Sequence, residues 1–135
     1  PPGAKLLSTP TAGPVIIVST SVLAERAPER VRALEEAGAR VELVDPAQPL
    51  ESALARFAQL GITSLVVEGG ARLHRAFWEA DLVDRLAIFR VARLLGPGGV
   101  PWLPRTLLDG DRIVERTTRV VGEDVLIEAY VHRTD

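Results

Sequence analysis

The chain has 135 residues, 16 lysines and arginines against 18 aspartates and glutamates, a formal charge of −2 and no cysteine. That length suits a single domain able to fold without staples, and the missing cysteine excludes disulfides, thiolate metal sites and a cysteine nucleophile, in keeping with a reducing, cytoplasmic setting. Charges of both signs are interspersed along the helical segments and no apolar run approaches a membrane span, so neither nucleic acid nor membrane is an expected partner.

The chain opens Pro-Pro-Gly and contains no methionine. That texture belongs to a connection between elements, and missing N-terminal sequence is the expectation; an excised initiator methionine before a loose tail is the alternative. From Pro14 to Ser19 a run of β-branched residues, bounded by Gly13 and Ser19-Thr20-Ser21, predicts a buried strand. A helix follows with Pro28 in its first turn, Val31, Leu34 and Ala37 on one face, and Gly38 as its stop. Arg40–Val44 predicts a second strand, closed by Asp45-Pro46. Residues 50–60 place Leu50, Leu54, Phe57 and Ala58 on one helical stripe ended by Gly61. Ser64–Val67 predicts a third strand, Ala71–Ala80 a helix with Leu73, Ala76, Phe77 and Ala80 inward, and Leu86–Val91 a fourth strand. The stretch GPGGVPWLP reads as a loop carrying Trp102. Arg112–Val121 and Asp124–His132, separated by Gly122-Glu123, pair as a hairpin. This order, β-α-β-α-β-α-β and then β-β, predicts an α/β fold: a largely parallel sheet with helices on both faces and an antiparallel C-terminal hairpin.

Ligands of open α/β sheets collect at the carboxyl ends of strands, where the next helix begins. Glu68-Gly69-Gly70 stands at such a handover. The helix from Ala71 starts with N–H groups that lack intrahelical partners and with a partial positive charge, which suits a phosphate or diphosphate, and glycine lets the anion approach. Two glycines fit a tight strand-to-helix turn equally well. Neither G-x-G-x-x-G nor G-x-x-x-x-G-K-[ST] is present. A carboxylate at Glu68 would repel that anion, so it makes more sense as an acceptor for a second, donor-rich ligand such as an amino-pyrimidine; capping of the following amides is the other reading.

Residues 61–99 resemble the C-terminal reductase domain of the bifunctional riboflavin-biosynthesis deaminase/reductase family, whose pattern runs gi-x-s-l-l-v-E-G-G, a helix, a-g-L-v-D-e-l and an l-l-G segment. Here these stand as Glu68-Gly69-Gly70, Leu82-Val83-Asp84 and Leu94-Leu95-Gly96, and Val121-Gly122-Glu123-Asp124-Val125 resembles the family's final G-x-D-v turn. The resemblance runs through nearly the whole chain. It implies a three-layer, dihydrofolate-reductase-like fold and a cytoplasmic, homodimeric enzyme. The implied reaction is NADPH-dependent reduction of the ribosyl group of 5-amino-6-(5-phosphoribosylamino)uracil, a pyrimidine ribosyl phosphate, to its ribityl counterpart. Carried over, Glu68 contacts substrate, and Gly70, Ala71, Arg72, Leu73, His74, Arg75 and Ala76 form the cofactor segment. The chemistry is hydride transfer from the nicotinamide to the opened sugar with a proton supplied, so the protein's chief task is alignment. The catalytic proton donor is not identified.

Three departures from the family pattern stand out. The family's opening strand and S-L-D-G-like signature, with residues that hold substrate phosphate and much of the nicotinamide, are not in these 135 residues. The zinc deaminase half is missing too, since P-C-x-x-C cannot be written without cysteine, and no metal is expected. Ala92-Arg93 replaces the Pro-basic pair that often precedes the l-l-G segment. The runner-up function is a catalytically incomplete dinucleotide-binding or dimerisation module; for the chain by itself, weak binding and negligible turnover are expected.

Among the remaining polar and aromatic residues, His74 can approach cofactor phosphate or lie on a solvated helical face. His132 reads as a surface residue at a strand end. Arg72 and Arg75 add positive potential or are ordinary exposed arginines. Ser19-Thr20-Ser21 reads as a turn or cap. Asp84 reads as satisfying backbone at a helix-to-strand corner, and Trp102 as packing between subunits or covering the core.

Overall fold

The computed structural model describes residues 1–8, 13–94, 96–102, 107 and 110–131. His132 and Leu95 lie outside the described residues. The chain divides into two compact units, Pro1–Leu65 and Val66–Asp135.

In the first unit the β-branched run forms β1, Val15–Thr20. It pairs in parallel with β2, Ala39–Val44, from Val15↔Ala39 to Thr20↔Val44. Thr20 closes the strand and caps a short helix, α1, Ser21–Arg26: the Leu23 N–H donates to Thr20 Oγ1 at 3.4 Å. The cap role expected of the Ser-Thr-Ser cluster is thus met by its middle residue. The α1 helix itself was not foreseen, because six residues are too few to show a periodic stripe. Pro28 opens α2, Pro28–Glu36, as expected. Past its end Gly38 takes φ 92°, a left-handed conformation open to glycine without cost. Pro49 likewise opens α3, Pro49–Gln59.

Glu42 on β2 is only 5% exposed, and such burial requires partners. Arg56 of α3 and Arg40 of β2 each place Nε on one of its two carboxylate oxygens, Arg56 at 2.5 Å. The Arg56 hydrogen bond and then that from Arg40 hold its carboxyl below the ordinary value of 4.5 against the opposing effect of desolvation. The strand and α3 are therefore tied by charge.

In the second unit, residues 66–70 run without regular structure into α4, Ala71–Glu79. Three strands follow: β3, Arg85–Arg90; β4, Glu115–Val121; and β5, Asp124–Tyr130. They form an antiparallel sheet of order β3-β5-β4, with β5 central, Leu86 opposite Ala129 and Arg116 opposite the same Ala129. The hairpin closes through Gly122-Glu123 beyond the Val121↔Asp124 pair, and Gly122 takes φ 63° at the first central position of the turn. Leu86, Leu107, Ala129 and Val131 form a buried core cluster around which Trp78, Val83, Ile88, Trp102 and Ile113 pack, and Leu126 of β5 is buried as well. At the end of α4 Asp81 takes φ 60°, and Arg112 lies over the Trp78 ring at 3.9 Å, donates to Trp78 O at 3.0 Å and bonds the Asp81 carboxylate.

The protein is therefore α/β, with a parallel sheet, helices and an antiparallel C-terminal hairpin. Two details depart from the sequence reading. Ser64–Val67 forms no strand, and parallel pairing among the described residues is confined to β1 and β2, so the sheet structure is not largely parallel. The physical reason is that a short apolar run reads alike as a strand or an unpaired extended segment, and only ladder partners make it a strand.

Candidate active site at the start of the fourth helix

Gly70 is the N-cap of α4, with φ −72° and ψ 175° and no side chain to close the helix end. The Leu73 and His74 N–H groups both donate to Gly70 O, at 2.9 and 3.2 Å. The N–H groups of Ala71 and Arg72 precede that first closed turn, and among the described residues no acceptor meets them. The first turn carries no acidic residue. Open donors and the helix dipole suit this end to an anion. Glu68 is exposed two residues before the cap and makes no hydrogen bond or ion pair with a described residue, so its carboxylate is free to accept from a ligand.

The two glycines serve different ends. A Cβ at Gly69 would lie 2.5 Å from Leu73 Cδ2 and 3.1 Å from Leu73 Cβ, so Gly69 is small because Leu73 folds back over it. A Cβ at Gly70 would meet nothing within 4 Å. Among the described residues no contact requires glycine there.

Within α4, Arg72, Leu73 and Arg75 are exposed, Ala71, His74 and Ala76 are half-buried, and Phe77 is buried. Gly70 through Ala76 comprise the cap and nearly two turns of the helix. The His74 ring is bonded within its own unit. Its Nε2 lies 2.9 Å from Val67 O, and the Trp102 indole donates to its Nδ1 at 2.5 Å, with the rings edge to face at 5.5 Å between centroids. Trp102 is half-buried against the core of its own unit, which agrees with the core-covering role considered for it. Sequence reasoning missed the His74–Trp102 link because the two residues stand 28 positions apart with no shared periodicity; a lone large aromatic in a Gly- and Pro-rich loop was the available signal.

At the helix-to-strand corner the Asp84 carbonyl accepts from the Val131 N–H at 2.9 Å, a backbone link. Elsewhere in the second unit, a cleft of about 730 Å³ opens beside the end of β3 and the hairpin, lined by Arg90, Arg93, Arg116, Thr118, Val125 and Ile127 among others; no residue of 68–76 lines it. No cluster of three metal-ligating side chains occurs among the described residues, and no described helix is long and apolar enough to cross a membrane.

Comparison with known proteins gives this geometry its context. The riboflavin biosynthesis protein RibD of Chlamydia muridarum is 35% identical over 120 residues, which cover 86% of this chain and 32% of that protein. The 2,5-diamino-6-ribosylamino-4(3H)-pyrimidinone 5′-phosphate reductase of Aquifex aeolicus is 36% identical over 105 residues, 76% of this chain and 45% of that protein. The chain thus spans less than half the length of these relatives. Among solved structures, a pyrimidine reductase-like protein from Corynebacterium diphtheriae matches with a TM-score of 0.68 over 88% of this chain and 50% of its own. At 20% identity that likeness shows the fold alone. The profile of the RibD C-terminal domain matches residues 1–127, nearly the entire sequence, and the chain belongs to the RibD C-terminal domain family.

Proposed function

We propose that this chain is a single reductase-type domain with dihydrofolate-reductase-like layering that binds NADPH. In this reading it reduces the ribosyl group of 5-amino-6-(5-phosphoribosylamino)uracil to the ribityl product as a cytoplasmic homodimer. The observation that carries the reading is the open start of α4: unpartnered amides at Ala71 and Arg72, clear space at Gly70 and no acid in the first turn. A dinucleotide diphosphate finds there two donors and a dipole without having to displace a side chain. The segment Gly70, Ala71, Arg72, Leu73, His74, Arg75 and Ala76 holds the cofactor mainly through its main chain, and the exposed guanidiniums of Arg72 and Arg75 add a small, salt-sensitive attraction.

Glu68 accepts hydrogen bonds from the amino and ring N–H groups of the pyrimidine, a role its acceptor-only carboxylate suits. Once bound, the reduced nicotinamide supplies a hydride to C1 of the opened ribosyl group. C1 keeps its bond to nitrogen in the product, so the ring oxygen leaves C1 as a hydroxyl and one proton is taken up overall. The chain's own contribution is to align donor and acceptor carbons, with the diphosphate fixed at one end of Glu68-Gly69-Gly70 and the pyrimidine at the other. The Aquifex aeolicus relative, named as a reductase of a pyrimidinone ribosyl phosphate, supports the substrate class.

Titration with NADPH, followed by Trp78 and Trp102 fluorescence, tests the cofactor half. Saturable binding that Gly70→Val weakens is the expected result; no saturable binding, or binding indifferent to Gly70→Val, overturns the reading. Loss of NADPH absorbance on adding the ribosylamino-uracil phosphate then tests the reaction. Binding without turnover would identify the incomplete dinucleotide-binding module instead.

A further inference from the structure

The His74 ring uses both of its nitrogens inside the protein. An indole N–H can only donate and a carbonyl can only accept, so the Trp102 bond makes Nδ1 the bare nitrogen and the Val67 bond makes Nε2 the protonated one. The two bonds therefore select the Nε2–H tautomer.

These bonds act on a particular piece of chain. Val67 immediately precedes Glu68, and His74 lies one helical turn beyond Gly70. The Nε2–H···O bond closes a loop whose interior is Glu68, Gly69, Gly70 and the first turn of α4, with Leu73 folded over Gly69 inside it. Trp102 sets the ring plane from the other side and itself rests on the cluster of Leu86, Leu107, Ala129 and Val131. A continuous chain of contact thus runs from the sheet core through Trp102 and His74 to the carbonyl bonded directly to Glu68.

Resting on the reading of Glu68 as the pyrimidine contact, we infer that His74 and Trp102 are positioning residues that fix the Glu68 carboxylate, and that the His74 ring makes no contact with the dinucleotide. Precise placement of a binding group depends on the hydrogen bonds that orient it. Loss of the Val67 tie lets residues 67–69 shift relative to α4, so the pyrimidine site loosens while the amides of Ala71 and Arg72, fixed by the helix itself, stay in place.

The test measures two dissociation constants by calorimetry in the unaltered protein and in His74→Leu, His74→Gln and Trp102→Phe. One is for NADPH; the other is for the ribosylamino-uracil phosphate in the presence of the oxidised dinucleotide, so that nothing reacts. Glutamine carries an N–H as many bonds from its Cβ as Nε2 of histidine and can restore the tie to Val67. The expected result is pyrimidine binding weakened roughly three- to tenfold in His74→Leu and Trp102→Phe, the loss of about one hydrogen bond. His74→Gln recovers most of it, and NADPH binding stays within about twofold throughout. Unchanged pyrimidine binding in both His74→Leu and Trp102→Phe overturns the inference, as does a loss confined to NADPH, which would make the ring a cofactor ligand. A nitrogen-15 NMR spectrum of the unaltered protein checks the tautomer without any variant having to fold: protonated Nε2 and bare Nδ1 are expected, and the opposite pattern overturns the inference. If the unaltered protein binds neither ligand, the site reading fails and the positioning role falls with it, yet the tautomer still reports whether the Val67–His74–Trp102 link exists.

Discussion

Leu73 lies so close over Gly69 that a methyl group at position 69 would stand 2.5 Å from its Cδ2 and 3.1 Å from its Cβ. The first contact can be relieved by turning the leucine, but the second involves an atom fixed by the helix backbone. Gly69→Ala is therefore expected to lower stability by roughly 1 kcal/mol through an off-rotamer Leu73 and a shifted loop. Gly70→Ala, placed in open space, is expected to leave the unfolding free energy in urea within about 0.5 kcal/mol of the original. Equal stability loss at both positions would show that the two glycines do the same job.

The pocket of apolar side chains under the sheet should behave as a core despite its small size. Leu86 is buried against Leu107, Ala129 and Val131, so Leu86→Ala removes buried methyls and leaves a void. A loss of roughly 2–4 kcal/mol is expected in chemical denaturation. A loss below about 1 kcal/mol would mean that this face is not close-packed.

Arg112 joins three partners at the end of α4: the Trp78 ring, the Trp78 carbonyl and the Asp81 carboxylate. Asp81 is 66% exposed along its side chain, so the ion pair contributes little, whereas the ring and carbonyl contacts are shielded better. Arg112→Ala is expected to cost roughly 1–2 kcal/mol, with a shift in Trp78 fluorescence, and 0.5 M salt should leave most of that difference standing. Complete erasure by salt would assign the effect to the ion pair.

The contrast between legible and hidden features follows from the range of the interactions involved. Pro28, Gly38 and the Gly122-Glu123 pair act on their own backbone, so a helix start, a helix stop and the hairpin turn could be read from sequence and lie where expected. Ser64–Val67 could not, since an extended apolar segment becomes a strand only through distant partners. At the site, the helix start after Gly70 was legible because it is local. The orientation of His74 was not, because it depends on Trp102, which arrives from a loop after β3. Asp81 makes the same point from another side: the family's a-g-L-v-D pattern puts glycine there, and the aspartate keeps the left-handed backbone with Arg112 bonded to it.

Acid should weaken the first unit through Glu42. Its carboxyl is held below 4.5 in the folded protein by Arg56 and Arg40, so folding favours the ionised form. That contribution is complete above about pH 4.5 and is lost as pH falls through the lowered folded value. In urea unfolding, Glu42→Gln should be less stable than the unaltered protein at pH 7, and the gap should narrow steadily below pH 4.5. A gap that is constant from neutral to acid pH would separate Glu42 from the acid response.

The claim on which the function rests is that the diphosphate of a nicotinamide dinucleotide sits on the free amides at the start of α4. Backbone amide NMR during titration with NADPH tests it residue by residue. The largest shifts are expected at Gly70, Ala71, Arg72 and Leu73, saturating together, with smaller ones at Glu68. Saturable binding that leaves those four amides unmoved and perturbs another part of the chain would contradict the account.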